Sequence, residues 1–227
     1  MPADDLQARA RRWYHDLLLP TFPRDELTTE EDFLAAIRDG RLLAHSAGDA
    51  DHPDGIVLAE HDAESRVLLL TWLAVRPGCR GGGIGRRLLT EAMASWQAEL
   101  SPELILGEVE HPESIPASAD HGDPASRVRF YHSLGARALD LPHVQPPLRP
   151  GGATLENLML VAFLDRGNPP GATVPVEPVQ QFLAGYLPSH QPPYHRIQAA
   201  LRAAQPAGAV RTIGLAEDAG RLPNRPA

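Results

Sequence analysis

The sequence lacks a second cysteine and any long apolar run. Its single cysteine, Cys79, cannot close an internal disulfide, which is typical of a protein in the reducing cytoplasm. No apolar stretch approaches the length of a membrane span, and the amphipathic, acid-containing N-terminus does not resemble a signal peptide. We therefore expect a cytoplasmic protein with no membrane partner.

Basic residues are outnumbered by acidic ones. The chain of 227 residues has 21 Lys and Arg against 29 Asp and Glu, a net charge of −8. Because such a surface repels phosphate backbones, no nucleic-acid partner is expected. Positive charge gathers instead within residues 76–87, which contain Arg76, Arg80, Arg86 and Arg87 and no acid. A local basic patch on an acidic protein indicates a small polyanionic ligand.

Hydrophobic periodicity and turn residues predict a chain of alternating helices and strands. The predicted helices are 4–18, one capped by Thr29 and ended by Gly40, 84–100, and one opened by Asp123-Pro124. The predicted strands are 41–46, 55–60, 66–75, 104–110, 137–145 and 157–164. This order indicates an α/β (α+β) fold with a central mixed sheet and helices on both faces.

Composition changes after residue 165. A Pro/Gly linker near Asn168 leads to helical patterns at 176–187 and 194–204, and residues 205–227 read as a Pro/Gly-rich tail. We therefore expect a main domain over 1–165 and a C-terminal extension over 166–227.

The most informative segment is the apolar strand that runs through a glycine-rich turn into an amphipathic helix. Arg80, Gly83 and Gly85 set the spacing Arg-x-x-Gly-x-Gly. Glycines let the backbone approach a ligand, and the first N–H groups of the helix can then bind an anion. No Lys-Ser/Thr pair follows a glycine, so this is not a Walker A loop. Arg86 stands where a dinucleotide fingerprint needs its third glycine. The segment is interpreted as a pyrophosphate-binding loop.

Two motifs carry a resemblance to a known family. The loop, after a strand ending Val75-Arg76-Pro77, resembles motif A of the GNAT acyltransferase superfamily. The segment Phe130-Tyr-His-Ser-Leu-Gly-Ala136 resembles its motif B, with Ala136 in place of the usual aromatic residue. The resemblance extends over roughly residues 30–165 and implies a GNAT-like fold, whose mostly antiparallel sheet is splayed at the acyl-CoA site.

The resemblance also implies the cosubstrate, acetyl-CoA, and the groups that hold it. Backbone N–H groups from Leu73 to Val75 would hold the pantetheine arm and the acetyl carbonyl. The pyrophosphate would lie on the loop and the start of the helix, formed by Arg80, Gly81, Gly83, Ile84, Gly85 and Arg86.

Candidate catalytic residues come from three segments. Tyr131 matches the family tyrosine beside the thioester sulfur and would give its proton to the leaving thiolate. The strand before motif A has no carboxylate, so Glu108 and Glu110, on one face of the next strand, are the candidates to receive the amine proton or bind a cationic acceptor. Glu108, the more interior, is preferred. The segment joining the first two helices shapes the acceptor pocket in the family, which makes Phe22 a substrate-side candidate.

The resemblance implies an N-acetyltransferase that moves an acetyl group from acetyl-CoA directly to a primary amine, and we expect a monomer or homodimer. The acceptor stays open among small amines, amino-sugar antibiotics, and peptide or protein amines. No metal is expected, and Cys79 is read as a small packed residue, not a nucleophile. The alternatives are a non-catalytic acyl-CoA-binding or interaction module of the same fold, and an enzyme acting on aminoacyl-tRNA, which the net charge disfavours.

Overall fold

The computed structural model describes residues 3–113, 123–164, 171–187, 192–215 and 221–223. Within these ranges the helices are α1 (Ala3–Trp13), α2 (Glu30–Arg38), α3 (Ile84–Leu100), α4 (Pro124–His132), α5 (Val176–Tyr186) and α6 (Pro192–Ala204). The strands are β1 (Leu42–Gly48), β2 (Pro53–Asp62), β3 (Val67–Val75), β4 (Leu104–Glu110), β5 (Ala136–Leu139), β6 (Leu158–Phe163), β7 (Thr173–Pro175) and β8 (Ala209–Gly214). The predicted α/β class with mostly antiparallel strands is confirmed.

The chain forms two compact units. The first comprises residues 1–61, 68–102 and 148–152, and the second comprises residues 62–67, 103–147 and 153–227. The predicted loop lies in the first unit, whereas Glu108, Glu110 and Tyr131 lie in the second. The division of the chain at residue 165 stays a prediction.

Strands β1, β2 and β3 lie side by side in the first unit. Antiparallel pairing of β1 with β2 joins Leu42 to Glu60 and Ala47 to Gly55, with an irregularity after Ala47. Helices α1 and α2 pack on each other, and α2 and α3 both contact β1. The core between these elements is aliphatic and aromatic, with Leu17, Leu18, Leu27, Phe33, Ile56, Leu58 and Ala74 at most 1% exposed.

The first two helices form where the sequence predicts them. Leu6, Ala10 and Trp13 share one face of α1, and this face packs into the core of the first unit. The last predicted turn, Tyr14–Leu18, is a π-helical turn. Helix α2 begins after Thr29, whose hydroxyl oxygen accepts the Asp32 N–H at 3.1 Å and so caps the helix.

The second unit is built on five strands in the order β4-β6-β5-β8-β7. Each neighbouring pair in this set is antiparallel. Helix α4 packs against β4 and β5, and α5 and α6 pack against each other and against β8. Buried apolar residues from strands and helix form its core, namely Val109, Val128, Ala136, Ala138, Met159, Val161, Leu215 and Leu222.

The C-terminal part of the chain differs from the sequence prediction in its strands. β5 ends at Leu139 instead of 145, because the chain turns there: the Leu141 N–H donates to the Leu139 carbonyl at 2.8 Å. Two short strands, β7 and β8, were not predicted, and β8 lies within the segment read as a tail. Its buried Val210 and Thr212 alternate with exposed Arg211, but six residues between proline-rich stretches give a weak signal.

Several predictions lie outside the described residues. The proline-containing loop from 114 to 122 and the linker residues 168–170 belong to this group. In the described part of the chain, no helix combines the length and apolarity needed to cross a bilayer. The predicted splay of the sheet stays a prediction.

Candidate active site

The glycine loop, residues 76–83, connects β3 to α3 in the first unit. Gly78, Gly81 and Gly83 have φ of +90°, +88° and +78°. Side-chain-bearing residues rarely adopt this left-handed conformation, so the turn needs glycine at these positions. A Cβ added at Gly81, Gly82 or Gly83 would meet no atom within 4 Å, so the loop surface is open to a ligand.

The loop presents a run of backbone donors. The first backbone hydrogen bond of α3 joins the Arg87 N–H to the Gly83 carbonyl at 3.0 Å. Among the described residues, the N–H groups from Arg80 to Gly85 donate to no protein group, and Gly83 supplies no side-chain cap. These donors lie at the positive end of a 17-residue helix. An anion with several acceptor oxygens is the ligand that such a helix terminus binds.

The arginines of this segment divide into two kinds. Arg76 is structural, because its Nε and Nη2 donate to the Pro53 carbonyl at 3.2 and 3.0 Å. Arg80 is exposed, and its Nε donates to the Val75 carbonyl at 3.2 Å, which fixes the side chain beside the loop. Arg86 and Arg87 are exposed on the first turn of α3. Three of the four arginines, Arg80, Arg86 and Arg87, therefore have exposed side chains close in sequence to the bare amides.

Cys79 has the environment of a packed thiol. Burial, and then the nearby Asp54 carboxylate, raise the pKa of the Cys79 thiol. The Sγ donates to Asp54 Oδ1 at 3.6 Å. A thiol held in its protonated form is a poor nucleophile, in agreement with the sequence interpretation.

The other first-unit candidates lie on β3 and on the segment between α1 and α2. Leu73 and Val75 are half-buried and alternate with buried Trp72 and Ala74 along β3. Their role in holding the acyl group stays a prediction. Phe22 is partly buried and packs against the core of the first unit, so its ring supports the segment; contact with an acceptor stays a prediction.

The segment that carries Phe22 is held by buried side chains. Three consecutive carbonyls accept from three donors: Trp72 Nε1 to Glu26 O at 2.8 Å, Arg149 Nη2 to Leu27 O at 2.8 Å, and Tyr14 OH to Thr28 O at 2.8 Å. Burial raises the pKa of Tyr14, so its hydroxyl remains a donor at neutral pH. The end of this segment is therefore fixed in position.

Glu108 is the centre of a polar cluster in the second unit. His143 Nε2 lies 2.5 Å from Glu108 Oε1, and Gln145 Nε2 donates to Oε2 at 2.7 Å. The Tyr186 hydroxyl donates to both oxygens, at 3.0 and 3.1 Å. The Glu108 side chain is 10% exposed and that of His143 is fully buried. We call Glu108, His143, Gln145 and Tyr186 the Glu108 cluster.

Glu110 has a different partner. Its carboxylate forms a salt bridge with Arg127 of α4, and its side chain is 12% exposed. The charge of Glu110 is thus neutralised by a guanidinium, whereas Glu108 accepts from the uncharged groups of Gln145 and Tyr186 and contacts the imidazole of His143. Glu108 and Glu110 occupy equivalent, half-buried positions of the alternating pattern on β4, as predicted for one face.

Tyr131 lies on α4. Its ring packs in edge-to-face contact with Phe130 and Phe163, at centroid distances of 5.1 and 6.0 Å. Burial raises the pKa of Tyr131 to about 12, with a smaller opposing effect from Arg127. The hydroxyl donates to no group among the described residues. It is a protonated phenol at neutral pH, and burial makes it a weaker acid than free tyrosine.

The helix that carries Tyr131 begins as predicted. Asp123 caps α4 by accepting the N–H groups of Ala125 and Ser126 at 3.0 and 3.1 Å. The Ser126 hydroxyl and these amides hold the pKa of Asp123 below its ordinary value. Gly135, at φ +90°, follows the helix and leads into β5.

Three members of the Glu108 cluster were not predicted as functional residues. His143, Gln145 and Tyr186 are 35, 37 and 78 residues from Glu108 in sequence, so no local pattern joins them. Within the described ranges, no group of three or more His, Cys, Asp and Glu residues could hold a metal ion.

Comparison with known proteins assigns the class. Residues 30–135 match the family model for the acetyltransferase (GNAT) domain. A GNAT-family acetyltransferase from Bacteroides thetaiotaomicron is 23% identical, with a TM-score of 0.54, over 73% of this chain and 86% of its own. The ribosomal-protein-S18-alanine N-acetyltransferase of Escherichia coli is 17% identical, with a TM-score of 0.47, over 72% and 89% of the chains. A GNAT acetyltransferase from Elizabethkingia anophelis with acetyl-CoA bound is 14% identical, with a TM-score of 0.45, over 66% and 88%. The comparison with curated proteins gives no match.

The domain matched at residues 30–135 is that of an acyl-CoA-dependent acetyltransferase. The chain carries a GNAT acetyltransferase domain, as the two sequence motifs indicated, and this family uses acetyl-CoA. The similarity to the Bacteroides structure concerns the fold alone.

Proposed function

We propose that this protein transfers an acetyl group from acetyl-CoA directly to a primary amine. The observation that carries the proposal is the row of bare N–H groups from Arg80 to Gly85, in a matched acetyltransferase domain. Pyrophosphate has the oxygens and the charge that this row and its arginines can bind. We assign the contacts to Arg80, Gly81, Gly83, Ile84, Gly85 and Arg86.

The chemistry needs a neutral amine, a site for the oxyanion and a proton for the leaving thiolate. The amine nitrogen attacks the thioester carbonyl, the carbon–sulfur bond breaks, and the amine loses a proton. We assign oxyanion binding to the backbone N–H groups of Leu73–Val75 and thiolate protonation to Tyr131. Tyr131 is protonated at neutral pH, as the assignment requires, and burial raises its pKa to about 12, which makes it a weaker acid than free tyrosine.

We assign the amine side of the reaction to Glu108. Both predicted carboxylates are engaged, but Glu110 is paired with a guanidinium and Glu108 is oriented by the uncharged donors of Gln145 and Tyr186. We assign to the Glu108 carboxylate the attraction of an ammonium group or the receipt of its proton through water. Phe22 and Glu110 remain candidates for contact with the acceptor.

One observation favours the non-catalytic alternative. A carboxylate offers about four lone-pair positions, and those of Glu108 already accept hydrogen bonds from Gln145 and Tyr186 and face His143. A carboxylate so occupied serves equally to hold the fold together. An acyl-CoA-binding module would retain the glycine loop and show no turnover.

An acetyl-CoA turnover assay separates the two functions. The purified protein is incubated with acetyl-CoA and a panel of small amines, amino-sugars and amino-terminal peptides, and release of the CoA thiol is followed. If the protein is an enzyme, thiol release should increase with the concentration of amines from one acceptor class. Mass spectrometry should then detect the acetylated amine. Tight CoA binding by calorimetry without amine-dependent thiol release across the panel would support the binding module.

A further inference from the structure

The C-terminal extension supplies a side chain to Glu108. Tyr186 is the last residue of α5, and α5 lies entirely outside the matched domain of residues 30–135. Its hydroxyl donates to both oxygens of Glu108, on β4 within that domain. The proposed acceptor-side carboxylate is therefore reached by a helix that the matched domain does not contain.

The Tyr186 ring is held in place by stacking on the rings of His143 and Phe182. It stacks on His143 at 6.2 Å with an interplanar angle of 12°, and on Phe182 at 5.2 Å with an angle of 18°. Because the ring is packed in this way, the hydroxyl has a fixed direction. It can orient the carboxylate without an entropic cost at each turnover.

The cluster limits how Glu108 can move. With Glu108 ionised, His143, Gln145 and Tyr186 together act on both oxygens, so rotation of the carboxylate would break hydrogen bonds to partly buried donors. Gln145 and His143 come from the loop after β5, whereas Tyr186 comes from α5. Of the three, Tyr186 can lose its polar atom and keep its packing, in the change to phenylalanine.

We propose that Tyr186 is a positioning residue for the acetyl transfer, and that through it the C-terminal extension sets the orientation and protonation of Glu108. This inference rests on the proposed function. Among the residues that the structure describes, the titratable groups that contact Glu108 are His143 and Tyr186. Two positions along the same strand, Glu110 pairs with Arg127 of α4.

The change Tyr186→Phe should shift the titration of Glu108 in one direction. The Tyr186 hydroxyl donates to the ionised carboxylate, so its removal makes protonation of that carboxylate easier. The apparent titration midpoint of the Glu108 carboxyl should therefore rise in Tyr186→Phe. The acid limb of the kcat/KM profile should move to higher pH together with it.

The test compares Tyr186→Phe with a matched tyrosine of the same extension. Tyr194 of α6 accepts a hydrogen bond from Gln198 at 2.6 Å and provides the control, Tyr194→Phe. We expect Tyr186→Phe to lower kcat by about 10-fold, the loss typical of a hydrogen bond to a charged group, with unchanged CoA affinity. In the Glu108→Gln background the same change should have no further effect. Tyr194→Phe should leave kcat and its pH profile as in the wild type.

A titration that does not require turnover keeps this inference separate from the proposed function. The ¹³C resonance of the Glu108 carboxyl, assigned by its absence in Glu108→Gln, is followed against pH in wild type and Tyr186→Phe. We expect a midpoint higher by about one pH unit in the variant. An unchanged midpoint, or a wild-type kcat and pH profile in Tyr186→Phe, would overturn the inference while the acetyltransferase function stands. A wild-type protein that acetylates no amine would overturn the proposed function, and a shifted midpoint would then still support control of Glu108 by Tyr186.

Discussion

The glycine loop and the Glu108 cluster differ in how their polar groups are satisfied. The N–H groups from Arg80 to Gly85 donate to no described protein group, whereas the Glu108 carboxylate is surrounded by side-chain partners. Bare donors at a helix terminus identify the type of ligand, an anion, before any ligand is seen. A carboxylate whose oxygens already have hydrogen-bond partners identifies the residues of a cluster, but it does not identify the acceptor that the cluster would bind. The cosubstrate is therefore better defined by this structure than the acceptor.

The largest effect is expected when the Glu108 cluster loses its charge. In Glu108→Gln the amide keeps the size of the carboxylate, but its NH₂ would face donors of Gln145 or Tyr186. We expect turnover with the true acceptor to fall by about 10²–10⁴, the usual range for a general base, with CoA affinity preserved. Steady-state kinetics and calorimetry measure the two quantities.

Glu110→Gln is the control for that change. It removes a carboxylate from the same face of β4 but one that already pairs with Arg127. Its turnover should stay within a few-fold of wild type. If Glu110→Gln lost the activity and Glu108→Gln kept it, the acceptor-side acid would be Glu110.

A smaller loss of turnover is expected on substitution of Tyr131, which belongs to neither the glycine loop nor the Glu108 cluster. Tyr131→Phe keeps the ring contacts with Phe130 and Phe163 and removes the proton donor. Because thiols are already good leaving groups, we expect turnover to fall by about 100-fold, the lower end for general acid catalysis. Stopped assays of thiol release measure it. Full activity in this variant would leave solvent as the donor.

Two arginines of the first unit are expected to differ in role, Arg80 in CoA binding and Arg76 in stability. Arg80→Ala should weaken CoA binding by about 10-fold, since charge-assisted contacts of this kind contribute about 1.5–3 kcal/mol. Arg76→Ala should instead lower the thermal midpoint and leave CoA affinity close to wild type, because the Arg76 guanidinium is used on the Pro53 carbonyl. Calorimetry and thermal unfolding distinguish the two outcomes. A loss of CoA affinity in Arg76→Ala alone would reverse the assignment.

The smallest effect concerns stability at alkaline pH. The pKa of Tyr131 is raised to about 12 in the fold, from 10.0 as its ordinary value. The folded state therefore holds this proton more tightly, a contribution that is complete below pH 10 and is lost as pH rises toward 12. It amounts to about 3 kcal/mol by linkage, since each pKa unit corresponds to about 1.4 kcal/mol. Denaturant unfolding of wild type and Tyr131→Phe between pH 9 and 12 should show a flatter pH dependence in the variant.

The sequence predicts the glycine loop better than the Glu108 cluster for a physical reason. The strand, the glycines and the first turn of α3 are contiguous, so spacing alone identifies the loop. The partners of Glu108 lie in the loop after β5 and on α5, and they reach Glu108 through pairing of both β4 and β5 with β6 and through packing of α5, which no local pattern encodes. In the same way, the short strand β8 is recognised only through its pairing with β5 and β7. Helices α3 and α4 were predicted because their starts carry local signals, glycine at 83 and the Asp123 cap.

The central claim, that the loop binds CoA through its backbone amides, is most directly tested at Gly82. Gly83 has φ +78°, so a side chain there would strain the backbone, whereas Gly82 has no left-handed φ and open space around its Cα. Calorimetric titration of CoA into wild type, Gly82→Ala and Gly82→Asp isolates the effect of charge. We predict near-wild-type affinity for Gly82→Ala and a loss on the order of 100-fold for Gly82→Asp, because the carboxylate opposes the pyrophosphate. Wild-type CoA affinity in a folded Gly82→Asp protein would contradict the claim.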